Sequence, residues 1–390
     1  MSSPAAVEAR GRVEPGFEPV ADAFVRNFEE QGDVGAACCV YRDGRPVVDI
    51  FGGVADPAAG RAWADDTIVL TYSCTKGVIA VCANLLIQRG ELDPDAPVAD
   101  YWPEFAANGK GEIPVRFLLS HRAGLPVIEG EFTMSEALAW TPVVDALAAQ
   151  APIWEPGTAH GYHLRSYGWL VGEVIRRVTG RTAGRFFAEE IAAPLDLEFW
   201  IGLPEELEPR VAPVVPPAAA MDFATLEQLM PPEAVAAIRG PSDLFAYDEM
   251  WNRRELRATE LPSSNGIGDA CSLARLYASL VGEVDGVRTL EAATVKRATE
   301  PQCVGPDRII MFDMCYGLGF MRPPGLLHGT AISMGPAAFG HGGAGGSFTF
   351  ADPDAGVGFA YVMNRLRFDL DDCRAAALVA ATYAALASTT

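Results

Sequence analysis

The sequence predicts an α+β fold: an antiparallel sheet built from both ends of the chain and flanked by helices, with a mainly helical lobe inserted. Three observations predict it. Strand-like runs with tight turns lie near the N-terminus and again near the C-terminus, and the long middle carries helical periodicity and helix stops.

Taken in order, residues 18–31 (EPVADAFVRNFEEQ) space their apolar positions as a helix does. GAACCVYRDGRPVVDIFGGVAD then reads as two strands joined by a turn at Arg42-Asp43-Gly44. Residues 73–89 read as a helix stopped by Gly90, and 166–179 as another stopped by Gly180. TPVVDALAAQ and SLARLYASLVG add further helices. MCYGLGFMR, GHGGAGGSFTFADP and GVGFAYVMNR read as three more strands, the last two joined by the turn Asp352-Pro353-Asp354-Ala355-Gly356. A closing helix covers about 371–387. This order divides the chain into a sheet lobe, residues 1–70 and 295–390, and a mainly helical lobe, residues 71–294. Within the second lobe, residues 204–262 are rich in Pro and Ala and read as an irregular excursion. Disorder is expected only in the first dozen residues.

Bulk properties exclude several classes. A formal charge of −21 argues against nucleic acid or an anionic membrane as partner, since both need basic patches. No run reaches the roughly 18–20 apolar residues of a membrane span, and no basic stretch precedes an apolar one as in a secretory signal. The eight cysteines show no CxxC and no regular spacing, which points to reduced, buried thiols in a cytoplasmic protein. Of the histidines (121, 160, 163, 328 and 341), only His160 and His163 are spaced as ligands, and no acidic or cysteine partner accompanies them. No metal and no organic cofactor is expected. GxSxG, HExxH, GxxxxGK[ST] and GxGxxG after a strand are all absent.

One anomaly remains. Of 30 basic residues only three are lysines, Lys76, Lys110 and Lys296, and Lys76 sits three residues after Ser73 in TYSCTKG. On a helix, positions i and i+3 share a face, so the amine comes within reach of the serine oxygen. A serine hydroxyl needs a neighbour to take its proton. Lysine does this when burial or a nearby cation lowers its pKa, whereas arginine stays protonated. A helix start also presents free backbone N–H groups to the serine. Downstream, WEPGTAHGYHLRSYGW places Tyr162 in a loop before a helix, and FGHGGAGGSFTFADP is a glycine-rich edge strand that admits another backbone.

TYSCTKG, LLSHRAGLP, EPGTAHGYHLRSYGWLVGEVIRRVTG, GHGGAGGS and VMNR fall in order over about residues 16–385. In these the chain resembles the serine β-lactamase and penicillin-binding-protein superfamily, most nearly its class-C-like branch, the family VIII carboxylesterases. The resemblance implies a β-lactamase-like fold with the site between the lobes. It implies Ser73 as the acylated nucleophile, Lys76 as its proton partner, and Tyr162 as general base and then proton shuttle. His341-Gly342-Gly343 matches the family's Lys-Thr-Gly strand, and the backbone N–H groups of Ser73 and Ala344 match its oxyanion hole. Two positions depart: Leu164 stands where Tyr-x-Asn has asparagine, and His341 replaces the lysine. Leucine cannot bond an amide and histidine is at most partly charged near neutral pH, so a small neutral ester is favoured over an anionic β-lactam.

The expected function is therefore a carboxylesterase working through an acyl-enzyme on a small-molecule ester. An acyltransferase to an alcohol or amine, and a weak β-lactamase or amide hydrolase, share the first half-reaction and stay open. A non-catalytic binding protein is disfavoured because Ser73, Lys76 and Tyr162 are all kept. Cys74 is read as packing and His121 as a structural hydrogen-bonder. His160 and His163 flank Tyr162, either tuning it or facing solvent. Phe245, Tyr247 and Trp251 are left out of the site, because an acyl pocket and ordinary core account for them equally.

Overall fold

A computed structural model describes residues 7–327, 334–369 and 371–388, so His328 lies outside the described residues. The N-terminal stretch supplies β1 (Arg10–Val13), α1 (Glu18–Glu30), β2 (Gly35–Arg42) and β3 (Arg45–Asp56), with the short β4 (Arg61–Ala62) paired to β3. Asp43 and Gly44 both take positive φ, 49° and 76°, which is the twist a two-residue hairpin turn requires. Arg10–Val13 are ordered, contrary to expectation. They pair antiparallel with Val48–Phe51 because the hairpin leaves that side of β3 open.

A second, four-stranded sheet joins β5 (Ile68–Leu70), β6 (Phe199–Ile201), β7 (Val211–Ala212) and β8 (Gly266–Gly268) in the order β6-β8-β5-β7. It underlies the start of α2 (Cys74–Gln88). There Thr71 N–H donates to the Gly266 carbonyl oxygen at 2.9 Å, and Thr75 Oγ1 accepts from Gly266 N–H at 2.8 Å. Next come α3 (Ser166–Thr179), ended by Gly180 in the left-handed region, and α4 (Ala270–Val281). Short helices at Phe223–Leu229 and Pro232–Arg239 interrupt the 204–262 excursion.

The C-terminal part forms six strands where three were expected: β9 (Cys303–Pro306), β10 (Asp313–Tyr316), β11 (Met321–Arg322), β12 (Phe339–Gly342), β13 (Phe348–Asp352) and β14 (Val357–Met363), before α5 (Arg374–Ser388). MCYGLGFMR divides because Gly317 N–H closes a turn onto the Phe320 carbonyl oxygen at 2.9 Å. GHGGAGGSFTFADP divides because Gly343 N–H bonds Ser347 O at 2.7 Å while Gly345 and Gly346 take φ of 82° and 131°. The large sheet runs β1-β3-β2-β14-β13-β12-β11-β10-β9 and is antiparallel throughout. The glycine-rich strand β12 is thus interior, not an edge. Its register with β11 is confined to Met321 and Gly340, so the His341-Gly342 end is unpaired on that side.

Both faces of the sheet are covered, since adjacent Cys38 and Cys39 on β2 point to opposite faces and both are buried. Phe24 of α1 reaches the face that carries Gly52, and α1 packs along α5. α4 covers the other, and a Cβ on Gly358 would come within 2.4 Å of its Ala274 carbonyl oxygen. The helix assigned from sequence to the inserted lobe therefore lies on the sheet. No helix of the described residues is long and apolar enough to cross a membrane.

Candidate active site

Ser73 is the N-cap of α2, and Tyr72 before it holds φ at 47°, an uncommon conformation for a residue with a side chain. Lys76 N–H donates to Ser73 O at 3.0 Å, and Lys76 Nζ stands 3.0 Å from Ser73 Oγ. The i, i+3 pairing read from the sequence is formed. α2 is buried all along Cys74–Ile87, as expected of a helix apolar on every side. Lys76 is fully buried, with Nζ also donating to the Ser263 carbonyl oxygen at 2.9 Å. Burial first, and the Arg165 charge second, hold its pKa well below that of an ordinary lysine.

Tyr162 reaches the same point from the loop before α3. Its ring centroid lies 4.9 Å from Lys76 Nζ, and its phenol meets the Ser73 hydroxyl. Burial raises the phenol's pKa well above its usual value, and the Ser73 contact offsets only part of that rise. Asp307 fixes the loop. One carboxylate oxygen accepts from the backbone N–H groups of Tyr162, Ile309 and Ile310 at 3.0, 2.8 and 3.0 Å. The other accepts from Tyr316 Oη at 3.1 Å, and the Tyr316 ring stacks on Tyr162 with centroids 6.4 Å apart.

The third wall is the end of β12. Its carbonyl at His341 accepts from the Cys74 thiol at 3.5 Å and from Thr349 Oγ1 at 3.1 Å. A Cβ on Gly343 would sit 2.2 Å from the Thr71 carbonyl oxygen, and one on Gly77 2.1 Å from Tyr277 Oη. Glycine is needed at Gly343 so that the strand end can lie against the backbone before α2, while Gly77 leaves room for the Tyr277 side chain of α4. Neither the Ser73 nor the Ala344 N–H has an acceptor among the described residues. Gly342 follows His341 in the strand, and a Cβ on it would lie 3.8 Å from the Phe348 ring.

His341 is buried and its ring centroid is 5.9 Å from that of Tyr162. Nδ1–H donates to the Gly342 carbonyl oxygen at 2.7 Å, which leaves Nε2 as an acceptor with no partner. Burial, then the nearby Lys76, push its pKa down to about 3, so it is neutral near pH 7. Leu164 is buried. The two departures from the family pattern thus present an apolar side chain and an uncharged ring.

His121, His160 and His163 bond within the protein. His121 Nδ1 accepts from His163 N–H at 3.1 Å, and His163 donates to Gly161 O at 2.7 Å while accepting from Leu125 N–H at 3.0 Å. His160 meets the Gly305 carbonyl oxygen at 3.1 Å. All three are buried, which removes the solvent-facing alternative for His160 and His163. Cys74 packs as expected, its thiol pushed up to about 12 by burial. Among the described residues, one group offers metal-ligand atoms within 4.8 Å of one another: Cys39, Asp49 and Cys271. The Tyr41 hydroxyl lies 3.7 Å from the Cys271 sulfur.

Sequence reading missed Asp307, Ser263 and Arg165. Asp307 is 145 residues from Tyr162 and Ser263 is 187 from Lys76, and no local pattern joins such pairs. Phe245, Tyr247 and Trp251 gather around Arg165 and Tyr72, one residue before Ser73.

The chain as a whole is similar to known proteins. The esterase/beta-lactamase LipL of Mycobacterium tuberculosis (strain ATCC 25618 / H37Rv) is 35% identical over 376 residues, spanning 91% of this chain and 83% of LipL. The crystal structure of a family VIII carboxylesterase superposes with a TM-score of 0.87 at 37% identity, covering 97% of this chain and 100% of that one. A penicillin-binding-protein homologue from Caulobacter crescentus gives 0.88 at 37% identity, with the same coverage. The family model described as beta-lactamase matches residues 21–384, and the chain belongs to the beta-lactamase family.

Proposed function

We propose that this protein is a serine carboxylesterase that forms an acyl-enzyme on Ser73 with small neutral esters. The observation that carries the reading is the 3.0 Å contact between Ser73 Oγ and a buried Lys76 amine whose pKa is strongly lowered. A lowered pKa leaves more of that amine unprotonated than in an ordinary lysine, so it can take a proton, and the hydroxyl it faces is the one to be activated.

In this reading Ser73 Oγ attacks the ester carbonyl carbon as its proton passes to Lys76 Nζ. The carbonyl π pair moves to oxygen, which the Ser73 and Ala344 N–H groups receive. Collapse breaks the bond to the leaving alkoxide, which takes the Tyr162 phenol proton, and Lys76 returns a proton to the phenolate. Tyr162 is thus an acid toward the leaving group and not the initial base, because burial keeps its phenol protonated. Water then attacks the acyl-enzyme by the same relay in reverse, releasing the acid. The uncharged His341 and apolar Leu164 support a neutral substrate.

The same reading places the site where the helical lobe, through α2 and the Tyr162 loop, faces the sheet lobe, through β12. All eight cysteines are free, which supports a reducing, cytoplasmic setting. The test is labelling by a fluorophosphonate together with hydrolysis of a short p-nitrophenyl ester. Wild type reacts in both, while Ser73→Ala fails in both and Lys76→Ala loses about 10³-fold in kcat. Full activity in Ser73→Ala would refute the mechanism.

A further inference from the structure

Arg165 is out of place in so acidic a protein. It is 3% exposed, yet among the described residues it forms no ion pair. Its guanidinium donates to the Phe245 carbonyl oxygen at 2.9 Å and to Ser264 Oγ at 3.3 Å, and its buried Nε–H has no acceptor. The rings of Tyr247, Trp251 and Phe245 close around it at 4.8, 5.4 and 5.7 Å. Arg374, equally buried, shows the ordinary arrangement, with Asp33 and Asp372 each 2.7 Å away. A buried charge without a partner is costly, and arginine cannot escape the cost by losing its proton. Cation–π contacts offset part of it. What they do not do is cancel the charge.

That uncancelled charge reaches the reacting pair through two serines: the guanidinium donates to Ser264 Oγ, which lies 3.1 Å from Ser263 Oγ, and the Arg165 backbone holds the same Ser263. Arg165 O accepts the Ser263 hydroxyl at 2.9 Å, and Ser263 O accepts from Lys76 Nζ at 2.9 Å. We propose that Arg165 is a positioning residue for the Ser73–Lys76 chemistry: its unpaired guanidinium, and its hydrogen bond from Ser263, hold Lys76 as an oriented amine ready to take the serine proton. The proposal rests on the acyl-enzyme reading above. A cation beside a lysine opposes a second positive charge, a recognised means of activating an amine.

The groups around the pair leave this role to Arg165. Facing Lys76 are Ser73, Tyr162, Cys74, His341 and His121. Burial keeps the tyrosine and the thiol protonated and both imidazoles neutral, so none carries a charge near pH 7. Facing Arg165 are Tyr72 and Tyr247, with Asp248 next to Tyr247 in the chain, its carboxylate capping Met250 N–H at 2.8 Å. Pairing Arg165 with a carboxylate would stabilise the box and remove its effect on Lys76.

The test is the pH profile of kcat/KM for p-nitrophenyl acetate, whose acid limb reports the free-enzyme group that must be unprotonated. In Arg165→Gln that limb moves to higher pH by about one unit or more, and the rate at the alkaline plateau approaches wild type. Ser264→Asp replaces the hydroxyl that accepts from the guanidinium with a carboxylate and leaves the surrounding rings in place, so it moves the limb the same way. It carries the test alone if Arg165→Gln does not fold. An unmoved limb in the variants that fold, or a loss of rate equal at every pH, overturns the proposal. Failure of the underlying mechanism looks different, since hydrolysis would then persist in Ser73→Ala.

Discussion

Two of the three lysines, Lys76 and Lys110, are buried, while Lys296 is exposed. Burial lowers the pKa of both. Their surroundings nevertheless differ. Lys110 donates to the carbonyl oxygens of Ala107, at 2.8 Å, and Gln150, and its Nζ lies 5.4 Å from the Phe105 ring centroid. Two carbonyls and an aromatic ring suit an ammonium. Lys76 also has a ring, that of Tyr162 at 4.9 Å, but only one carbonyl, and its other neighbours are a hydroxyl and a second cation. Burial by itself therefore does not make a base. The difference lies in which charge state the neighbours solvate, and whether one of them is a group to be deprotonated.

Arginine substitution breaks this comparison most directly. Lys76→Arg keeps the charge and much of the length but cannot take a proton, so kcat for a p-nitrophenyl ester falls by about 10³-fold. Lys110→Arg keeps an ammonium-like donor for the two carbonyls, and kcat stays at the wild-type value. Equal losses in the two variants would mean that Lys76 only packs and pairs, as Lys110 does.

A smaller effect is expected from the loop that brings Tyr162 to Ser73. Asp307→Asn puts an amide where a carboxylate accepts four hydrogen bonds, so at least one of those donors loses its acceptor. Tyr162 then shifts relative to the leaving oxygen, and kcat drops by about 10–100-fold, the penalty typical of a misplaced catalytic group. The loss is steeper for esters with poor leaving groups than for p-nitrophenyl esters, because only the former need a proton from the phenol. A loss that ignores the leaving group would place Asp307 in folding alone.

Legibility in the sequence follows the same division. Ser73 and Lys76 were readable because one turn of helix joins them and the chemistry demands lysine. The hairpin at Asp43-Gly44 and the helix stop at Gly180 were readable because both are local backbone events. Strand number at the C-terminus was not, since a glycine run reads as strand until Gly343 N–H is seen to turn back onto Ser347. Arg165 was hidden differently. It meets Phe245 and Ser264 across 80 and 99 residues, through the irregular 204–262 segment and its exit. An arginine next to a catalytic loop looks like surface until the rings that cover it are in place. Asp307 was hidden the same way, by 145 residues.

The smallest effect isolates what Lys110 does. Its amine satisfies the carbonyls of Ala107 and Gln150, which join the turn after Pro103–Gly109 to the end of helix Thr141–Ala149. Lys110→Met preserves the aliphatic stem and its packing on Phe105 but removes the amine, which leaves the Gln150 carbonyl without its donor and the Ala107 carbonyl with only the Lys110 backbone N–H at 3.3 Å. Unfolding stability, read from urea denaturation, falls by about 1–3 kcal/mol, the cost of a buried acceptor left unpaired. The activity per folded molecule and its pH profile stay those of wild type, because the contacts of the Lys110 amine are with Ala107, Gln150 and Phe105 and not with Ser73 or Lys76. A shifted acid limb in Lys110→Met would show that the two lysines share one electrostatic environment, and the contrast between them would fail.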